Sequence, residues 1–146
     1  MKQIIMLWIL VAASAAVAAP ETARPQQNIG TRGAIGARMY DTQTVETIRG
    51  EIIAIAKVAH HDSRAYGVHL LLKTAAGTVS VHLGPSWFIV RQRIKLRPDD
   101  RIEVTGSRIT YRDRPVVIAA QIRKGHQSMV LRDSRGFPLW SGARGR

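Results

Sequence analysis

The sequence contains no cysteine, and it has few acidic and few aromatic residues. Without cysteine the chain cannot form a disulfide framework, use a thiol in catalysis or carry a lipid on a cysteine side chain. Asp and Glu number 10 against 22 Lys and Arg, which gives a formal net charge of +12 at pH 7. Most of these cations are Arg, whose planar fork suits phosphate and carboxylate groups. The charge balance therefore favours an anionic partner.

The sequence also lacks the motifs of common hydrolases. It has neither a G-x-S-x-G nucleophile elbow nor an H-E-x-x-H metal motif. The adjacent carboxylates of Asp99 and Asp100 lie in the segment RPDD, which is typical of a turn rather than of an acid–base pair. We therefore predict that the protein is not an enzyme.

The N-terminal segment MKQIIMLWILVAASAAVAAP has one Lys, an apolar run and small residues that lead into a Pro. This pattern is typical of a cleavable signal peptide, and the A-x-A pair of Ala16 and Ala18 favours cleavage after Ala18. The alternative is a membrane anchor, but the apolar run is shorter than the roughly 20 residues of a spanning helix. We predict a signal peptide over residues 1–18, a periplasmic or secreted protein, and no stable membrane insertion after cleavage. Residues 19–43 are rich in Pro, Gly, Gln and Arg, and predict a flexible basic linker.

The remaining chain has the alternation and turn residues of β-structure. Five segments predict strands: VETIRGEIIAIAKV, YGVHLLLKT, TVSVHL, DRIEVTGSRITY and RPVVIAAQIRK. Between the third and the fourth, GPSWFIVRQRI has apolar residues at helical spacing and predicts one short helix. The later segment MVLRD is a candidate for an additional short strand.

Five short strands with a helix between the third and the fourth are typical of the OB-fold barrel. The stretch RPDDRIEVTGS is similar to the family's turn into strand four, L-x-x-G-D-x-V-x-V-x-G, with Asp99 where the family often has Gly. The chain thus resembles the small exported bacterial OB-fold proteins. The resemblance implies an all-β fold, a five-stranded OB-like Greek-key barrel over residues 44–124, and it implies no activity. Residues 125–146 are then a C-terminal extension with a basic tail.

The predicted fourth strand changes phase along its length. Ile102 and Val104 share one parity, whereas Ile109 and Tyr111 share the other, so one straight strand cannot bury both pairs. A bulge or bend near Gly106 would supply the change of phase. Because glycine tolerates positive φ and close backbone approach, we predict that Gly50 and Gly106 lie at two corners of one closed sheet.

His69 and His82 occupy equivalent places in the repeated tripeptide Val-His-Leu, on either side of a turn. If the apolar faces of strands two and three are matched, the two histidines lie directly opposite each other. This register leaves residues 74–77 as the loop and pairs three sets of core residues: Leu72 with Val79, Leu70 with Val81, and Val68 with Leu83. In the alternative register, a three-residue loop that ends at Gly77 puts His82 beside Leu70.

Two opposed imidazoles supply half of a metal site, since zinc takes three or four ligands and copper two to four. His60 and His61 lie in the loop before strand two and are candidates for the remaining ligands. Because imidazole suits both ions, the candidate metals are Cu and Zn. Two other interpretations of His69 and His82 stay open, namely contact with a polar or anionic ligand and simple exposure to solvent.

The face of strands two and three that carries the histidines has no Phe, Tyr or Trp on which bases could stack. Binding of nucleic acid would therefore depend on charge alone, as would binding of an acidic glycan or lipid. Six cations form the predicted anion-binding surface: Lys73, Arg91, Arg93, Lys95, Arg97 and Arg101. The alternative is a solvated basic face with no partner.

Two aromatic segments predict packing rather than binding. Trp87 lies in the predicted helix at a position that favours the core. Phe137, Leu139 and Trp140 lie near the C-terminus, where an exposed apolar cluster would be adhesive, so we predict that residues 137–140 fold back onto the barrel.

Overall fold

A computed structural model describes residues 39–59 and 66–141. All of these belong to one compact unit, Arg32–Arg146. The predicted signal peptide, most of the predicted linker, His60, His61 and residues 142–146 lie outside the described residues. No helix in the described part of the chain is both long enough and apolar enough to cross a membrane.

The described residues form an all-β structure with one short α-helix. The strands are β1 (Val45–Ala59), β2 (Tyr66–Thr74), β3 (Gly77–Pro85), β4 (Arg101–Tyr111), β5 (Arg114–Lys124) and β6 (Gln127–Val130). A 3-10 helix (Thr42–Thr44) precedes β1, and the helix α1 (Ser86–Ile89) follows β3. The predicted all-β class, the helix between strands three and four and the short additional strand are confirmed.

The six strands form one sheet in the order β3-β2-β1-β4-β5-β6. Neighbours in this order are antiparallel, and β3 also pairs with β5 in parallel. The pairing of β3 with β5 closes the sheet into a ring. The first strand is long enough to serve two neighbours, because its first part pairs with β4 and its second part with β2.

The predicted phase change in β4 is confirmed. Every second residue from Ile102 to Gly106 is buried, and Ser107, directly after Gly106, is buried as well. The alternation of buried and exposed positions therefore changes phase between Gly106 and Ser107. The pairing of β4 with β5 shifts its register between Thr105 and Gly106, as a bulge requires. Gly106 has no positive φ. Of the two properties of glycine that the prediction invoked, close backbone approach is the one observed, because a Cβ at Gly106 would meet the Ile118 carbonyl oxygen.

A similar close approach occurs in β1. A Cβ at Gly50 would lie 2.9 Å from Leu72 Cγ and would collide with the Lys73 carbonyl oxygen on β2. The register between β1 and β2 shifts between Ile52 and Ala54, just after this glycine. Gly50 has no positive φ either, so at both predicted corners the missing side chain, rather than the backbone dihedral, explains the glycine.

The core lies inside the ring and is built mainly from Ile, Leu and Val of the five longer strands. Phe88 and Ile89 of α1 pack against it from outside, as does Trp140. The prediction that Trp87 lies in the core is wrong. Trp87 is half-buried, and its ring contacts Phe88 edge-on and the guanidinium of Arg91. A four-residue helix presents one face to the core, and Phe88 and Ile89 occupy that face.

The C-terminal segment folds back only in part as predicted. Trp140 packs against the core cluster, with its ring centroid 5.5 Å from that of Phe88. Phe137 and Leu139, in contrast, are 59% and 45% exposed. The ring of Phe137 packs against the Arg135 guanidinium at 5.1 Å instead of against the sheet.

The 3-10 helix attaches the start of the described chain to β4. Asp41 accepts a hydrogen bond from Gln43 N at 2.8 Å, and its own N–H donates to Ser107 Oγ at 3.0 Å. Thr44 Oγ1 is hydrogen-bonded to the same Ser107 oxygen at 2.9 Å. Because Ser107 is fully buried, these contacts satisfy a polar group that would otherwise be costly to enclose.

Candidate functional site

His69 and His82 lie directly opposite each other in the β2–β3 pair, as the matching of apolar faces predicts. The predicted pairs of Leu70 with Val81 and of Leu72 with Val79 are also present. The loop is shorter than predicted, because Thr74 pairs with Gly77 and leaves a two-residue turn.

Beyond the histidines the strands stay paired, but not in the predicted register. It shifts between Val68 and His69, so that Val68 lies opposite Gly84 and not opposite Leu83 as predicted. The irregularity lies directly beside His69, at the end of the strand pair that leads to α1.

The two half-buried imidazoles stack face to face. Their ring centroids are 3.7 Å apart and their planes differ by 10°. The edge of Tyr111 from β4 approaches His82 at 6.5 Å between centroids. An imidazole binds zinc through an in-plane nitrogen at about 2.0–2.1 Å. Since nearly parallel planes at this separation do not meet near the rings, at least one ring must rotate before both histidines can bind one ion.

The other predicted metal ligands, His60 and His61, lie outside the described residues. Within residues 39–59 and 66–141, no group of three or more His, Asp, Glu or Cys side chains is arranged to hold a metal ion.

Of the six cations predicted from the sequence, Lys73 and Arg101 are brought together. They line a groove of about 600 Å³ at one end of the sheet, along with Arg49 and Arg123. Arg49 and Arg123 are not among the cations predicted from the sequence. They lie on β1 and β5, on either side of β4, so only the strand pairing brings them to the groove.

Two rows of charged residues cross neighbouring strands in this groove, and each row places one carboxylate between two cations. In the first row, Glu103 on β4 lies opposite both Arg49 and Arg123. Arg49 Nε donates to Glu103 Oε2 at 2.7 Å, and Arg123 Nη1 lies 3.4 Å from Oε1.

The second row lies beside the first and is centred on Glu51 of β1. Glu51 lies opposite both Lys73 and Arg101, and Arg101 Nε is 3.8 Å from Glu51 Oε2. The register therefore sets four cations against two carboxylates, which leaves the groove with a charge excess of two. The side chains of Arg49 and Arg101 are 82% and 89% exposed, so their guanidinium groups face solvent.

The carboxylate of the first row stays ionised. The hydrogen bond from Arg49 lowers the pKa of Glu103; burial opposes this, and the charges of Arg49 and Arg123 lower it further. Because one carboxylate cannot neutralise two guanidinium groups, the row remains net positive at neutral pH.

The other four predicted cations lie apart from the groove. Arg91 lies 5.7 Å from the centroid of the Trp87 ring. The Lys95 ammonium donates to Val90 O at 2.7 Å and to Gln92 O at 3.0 Å, which caps the end of α1. Arg93 and Arg97 are exposed.

The turn that leads into β4 is held by an ion pair. Lys124 Nζ lies 2.7 Å from Asp100 Oδ2 and also donates to Lys95 O at 3.1 Å. Burial works to raise the pKa of Asp100, but the hydrogen bonds from Lys124 and from Arg97 N lower it by more. These bonds fix Arg101 at the start of β4, next to the groove.

A family model of MamS/MamX magnetosome proteins matches residues 44–129, which is well over half of the chain. No curated protein matches the sequence significantly. The match begins just before β1 and ends within β6, so it includes all four cations of the groove as well as His69 and His82. The chain belongs to the MamS/MamX magnetosome protein family.

Proposed function

We propose that the protein is an exported, non-enzymatic module that binds an anionic ligand or polymer through a basic surface. The groove between the rows Arg49–Glu103–Arg123 and Lys73–Glu51–Arg101 is the centre of this surface. The observation that carries the proposal is the register, which sets four cations against two carboxylates on one continuous face.

The energetics of exposed ion pairs support this use of the groove. A solvent-exposed ion pair contributes only about 0–1 kcal/mol of stability. An anion that binds these guanidinium groups therefore has to replace only weak internal ion pairs. A polyanion also releases condensed counterions on binding, a gain that an internal carboxylate does not provide. The β2–β3 face carries histidines and has no Phe, Tyr or Trp on which bases could stack, so in this proposal the partner is recognised through its charge. Nucleic acid, acidic glycan and anionic lipid share that chemistry.

The proposed fold is an OB-like Greek-key barrel, similar to the small exported bacterial OB-fold proteins. Three features support it: β1 is shared between β2 and β4, the parallel pairing of β3 with β5 closes the ring, and α1 follows β3. The proposed mature chain begins after Ala18 and acts in the periplasm or outside the cell. Membership in a magnetosome protein family leads us to propose that the binding serves the magnetosome.

The test compares two triple variants of equal net charge. The groove variant carries Arg49→Gln, Arg101→Gln and Arg123→Gln. Fluorescence anisotropy with labelled oligothymidine or heparin, and flotation with phosphatidylglycerol vesicles, measures the affinity for the three classes of anion. We expect the groove variant to lose at least about tenfold in affinity for the true partner class, since each lost charge-assisted contact costs roughly 1 kcal/mol or more.

The control variant removes three exposed arginines outside the groove. It carries Arg91→Gln, Arg93→Gln and Arg114→Gln, and the first two belong to the surface predicted from the sequence. We expect it to keep affinity within about threefold of wild type, because it loses only long-range attraction that salt screens. Equal losses in the two variants would show that binding follows net charge and that the groove has no special role.

A second candidate function is metal binding, because His69 and His82 are directly opposed. In this proposal Cu or Zn is held by the two histidines after one ring rotates, with His60 or His61 as further ligands. Isothermal titration of wild type, His69→Ala and His82→Ala with Cu(II) and Zn(II) tests it. Loss of roughly micromolar binding in both variants, with His126→Ala as an unaffected control, would support the site. Binding that neither substitution changes would eliminate it.

A further inference from the structure

The second half of β1 extends beyond the strand that flanks it on one side. β4 pairs with β1 only as far as Glu51, and the backbone of Ile52 then exchanges hydrogen bonds with residues 99 and 100 at 2.8 and 2.9 Å. After the register shift at this point, residues 54–59 still pair with β2 on their other side. No described residue pairs with the second edge of residues 53–59. This part of β1 therefore has a free backbone edge.

The free edge is apolar on both faces of the strand. All of residues 53–59 are exposed, and only Lys57 among them is charged. Ile55 lies opposite the core residue Leu70 and so points to the inward face, yet it is 37% exposed. Val58, on the outward face, is 40% exposed. The two-stranded ribbon of β1 and β2 exposes these large apolar side chains: Ile53, Ile55, Val58, Tyr66 and Leu71.

A free edge of this kind accepts another strand, because its N–H and C=O groups have no partner of their own. Natural sheets usually protect such an edge with charged residues, with proline or by keeping the edge strand short. Residues 53–59 contain no proline and a single charge, on Lys57. By contrast β6, the strand at the end of the sheet order, has only four residues. The edge of β1 is therefore the less protected of the two.

A second copy of the same edge is complementary to this one. Residues 53–59 are centred on Ala56, so an antiparallel pair about a two-fold axis at that residue uses the whole edge of both copies. Ala54 then lies opposite Val58 of the second copy, and residue 53 lies opposite residue 59. Directly opposed residues of an antiparallel pair are on the same face of the sheet. Apolar side chains therefore meet apolar side chains on both faces.

The charges of the protein do not oppose this pairing. Lys57 lies opposite Ile55 of the second copy, and not opposite the other Lys57, so its aliphatic stem can pack on that side chain. The basic groove lies farther along β1. At about 3.3 Å per residue, the two copies of Glu51 are roughly 33 Å apart, and this distance exceeds the Debye length of about 8 Å at physiological ionic strength. The charges of the two grooves are therefore screened from each other.

We propose that the protein forms a two-fold symmetric dimer, in which residues 53–59 of two copies pair as antiparallel strands and join the two sheets into one. The interface consists of one short strand and its neighbours, fewer than the roughly 20–30 residues a side of a stable complex, so the dimer is weak and reversible. The axis is perpendicular to the sheet and keeps the outward faces on one side. A polymer therefore meets two basic grooves on the same side of the dimer.

The first test measures self-association of the unmodified mature protein. Sedimentation velocity is recorded from about 2 to 500 μM, a range that includes the weak association of a small interface, at an ionic strength of about 0.15 M. We expect monomer at the low end of this range and dimer at the high end. A protein that stays monomeric throughout would overturn the proposal and would assign the edge to a strand of another protein. Species larger than a dimer would overturn it as well.

The second test adds a charge to the edge. Ile55→Lys places a cation opposite Lys57 of the second copy, once on each side of the axis. Val130→Lys is the control, because it makes the same change in charge on β6, where Val130 is 46% exposed. We expect Ile55→Lys to weaken dimerisation at least about tenfold, since two like-charge contacts replace two apolar ones, and Val130→Lys to change it less than about threefold. Equal effects of the two substitutions would show that association follows net charge, and would overturn the proposal.

The third test locates the axis. The chain has no cysteine, so a single introduced thiol can form a disulfide only between two copies. In Ala56→Cys the two Cβ atoms are about 4.5–5.5 Å apart across the axis, whereas in Ala59→Cys the two thiols are six residues apart, roughly 20 Å. With diamide as oxidant, we expect the first variant to cross-link at least about tenfold faster than the second. Equal rates would overturn this pairing. The groove triple variant should dimerise as wild type does, so failure of the groove and failure of the edge give different results.

Discussion

Replacement of Gly106 by alanine tests the close approach of β4 to β5, the strand pair that brings Glu103 and Arg123 together in the groove. A Cβ at this position would collide with the Ile118 carbonyl oxygen and would lie 2.9 Å from Ala119 Cα. Both atoms belong to the backbone of β5, so no side-chain rotation can relieve the collision. The β4–β5 pair must separate at the bulge, where the register has already shifted.

The expected loss of stability follows from two costs. Forcing a methyl group into a packed site costs about 1–3 kcal/mol, and weakening of a neighbouring ladder hydrogen bond adds about 1 kcal/mol. We therefore expect Gly106→Ala to lower the free energy of unfolding by about 2–4 kcal/mol. For a domain of this size that corresponds to a fall in Tm of about 10 °C or more. Gly106→Val adds two further methyl groups and should be at least as severe.

Gly125→Ala is the control, because this glycine has a φ of 58° but no atom near the position of a Cβ. It should cost only about 1 kcal/mol, from backbone strain. Urea unfolding of the mature protein, followed by circular dichroism, measures both changes. A cost for Gly106→Ala no larger than that for Gly125→Ala would refute the close approach of β4 to β5 at the bulge.

Two further predictions concern polar contacts that attach segments to the sheet. Ser107→Ala removes the acceptor of the Asp41 N–H and should cost about 1–2 kcal/mol in urea unfolding, because a part-buried donor loses its partner; Ser128→Ala, at an exposed position, should cost well under 0.5 kcal/mol. Lys124→Met should lower Tm by more at pH 7 than at pH 3. Burial raises the pKa of Asp100, and hydrogen bonds from Lys124 and a backbone N–H lower it by more, so the net shift is downward. The stabilisation is therefore complete above the ordinary Asp pKa of about 4 and is lost as the pH falls through the lowered value. A difference in Tm that is unchanged between pH 7 and pH 3 would contradict this assignment.

The placement of His69 opposite His82 could be predicted because a two-residue period leaves few ways to match two apolar faces. The phase change at Gly106 followed from the same rule. The first inference needed only two strands that are adjacent in sequence, and the second needed only the alternation within one strand.

The composition of the groove could not be predicted in this way. Arg49, Glu103 and Arg123 are far apart in sequence and meet only because β4 pairs with β1 on one side and β5 on the other. Cations that are close together along the chain, such as Arg91 and Arg93, are easy to group from the sequence, whereas a row of charges across three strands is not.

The aromatic residues show a second limit to what the sequence can predict. Trp87 and Phe88 are adjacent, and in a four-residue helix the apolar period cannot decide which of them faces the core. Phe137 was expected to pack for the same reason as Trp140, yet only Trp140 reaches the sheet. The burial of Arg132 could not be predicted, because nothing in the sequence distinguishes this arginine, which lies between Tyr40 and Trp140, from the exposed arginines.

The salt dependence of polyanion binding tests the central proposal most directly. The logarithm of the association constant for a labelled oligothymidine is measured against the logarithm of the salt concentration, from about 50 to 200 mM, for wild type and the groove triple variant. If Arg49, Arg101 and Arg123 each neutralise a phosphate, the slope should be shallower in the variant by about 2, at roughly 0.7 per contact on a single strand. The control triple variant should keep the wild-type slope. Binding by wild type that does not change with salt, or the same slope in the wild type and the groove variant, would contradict the account.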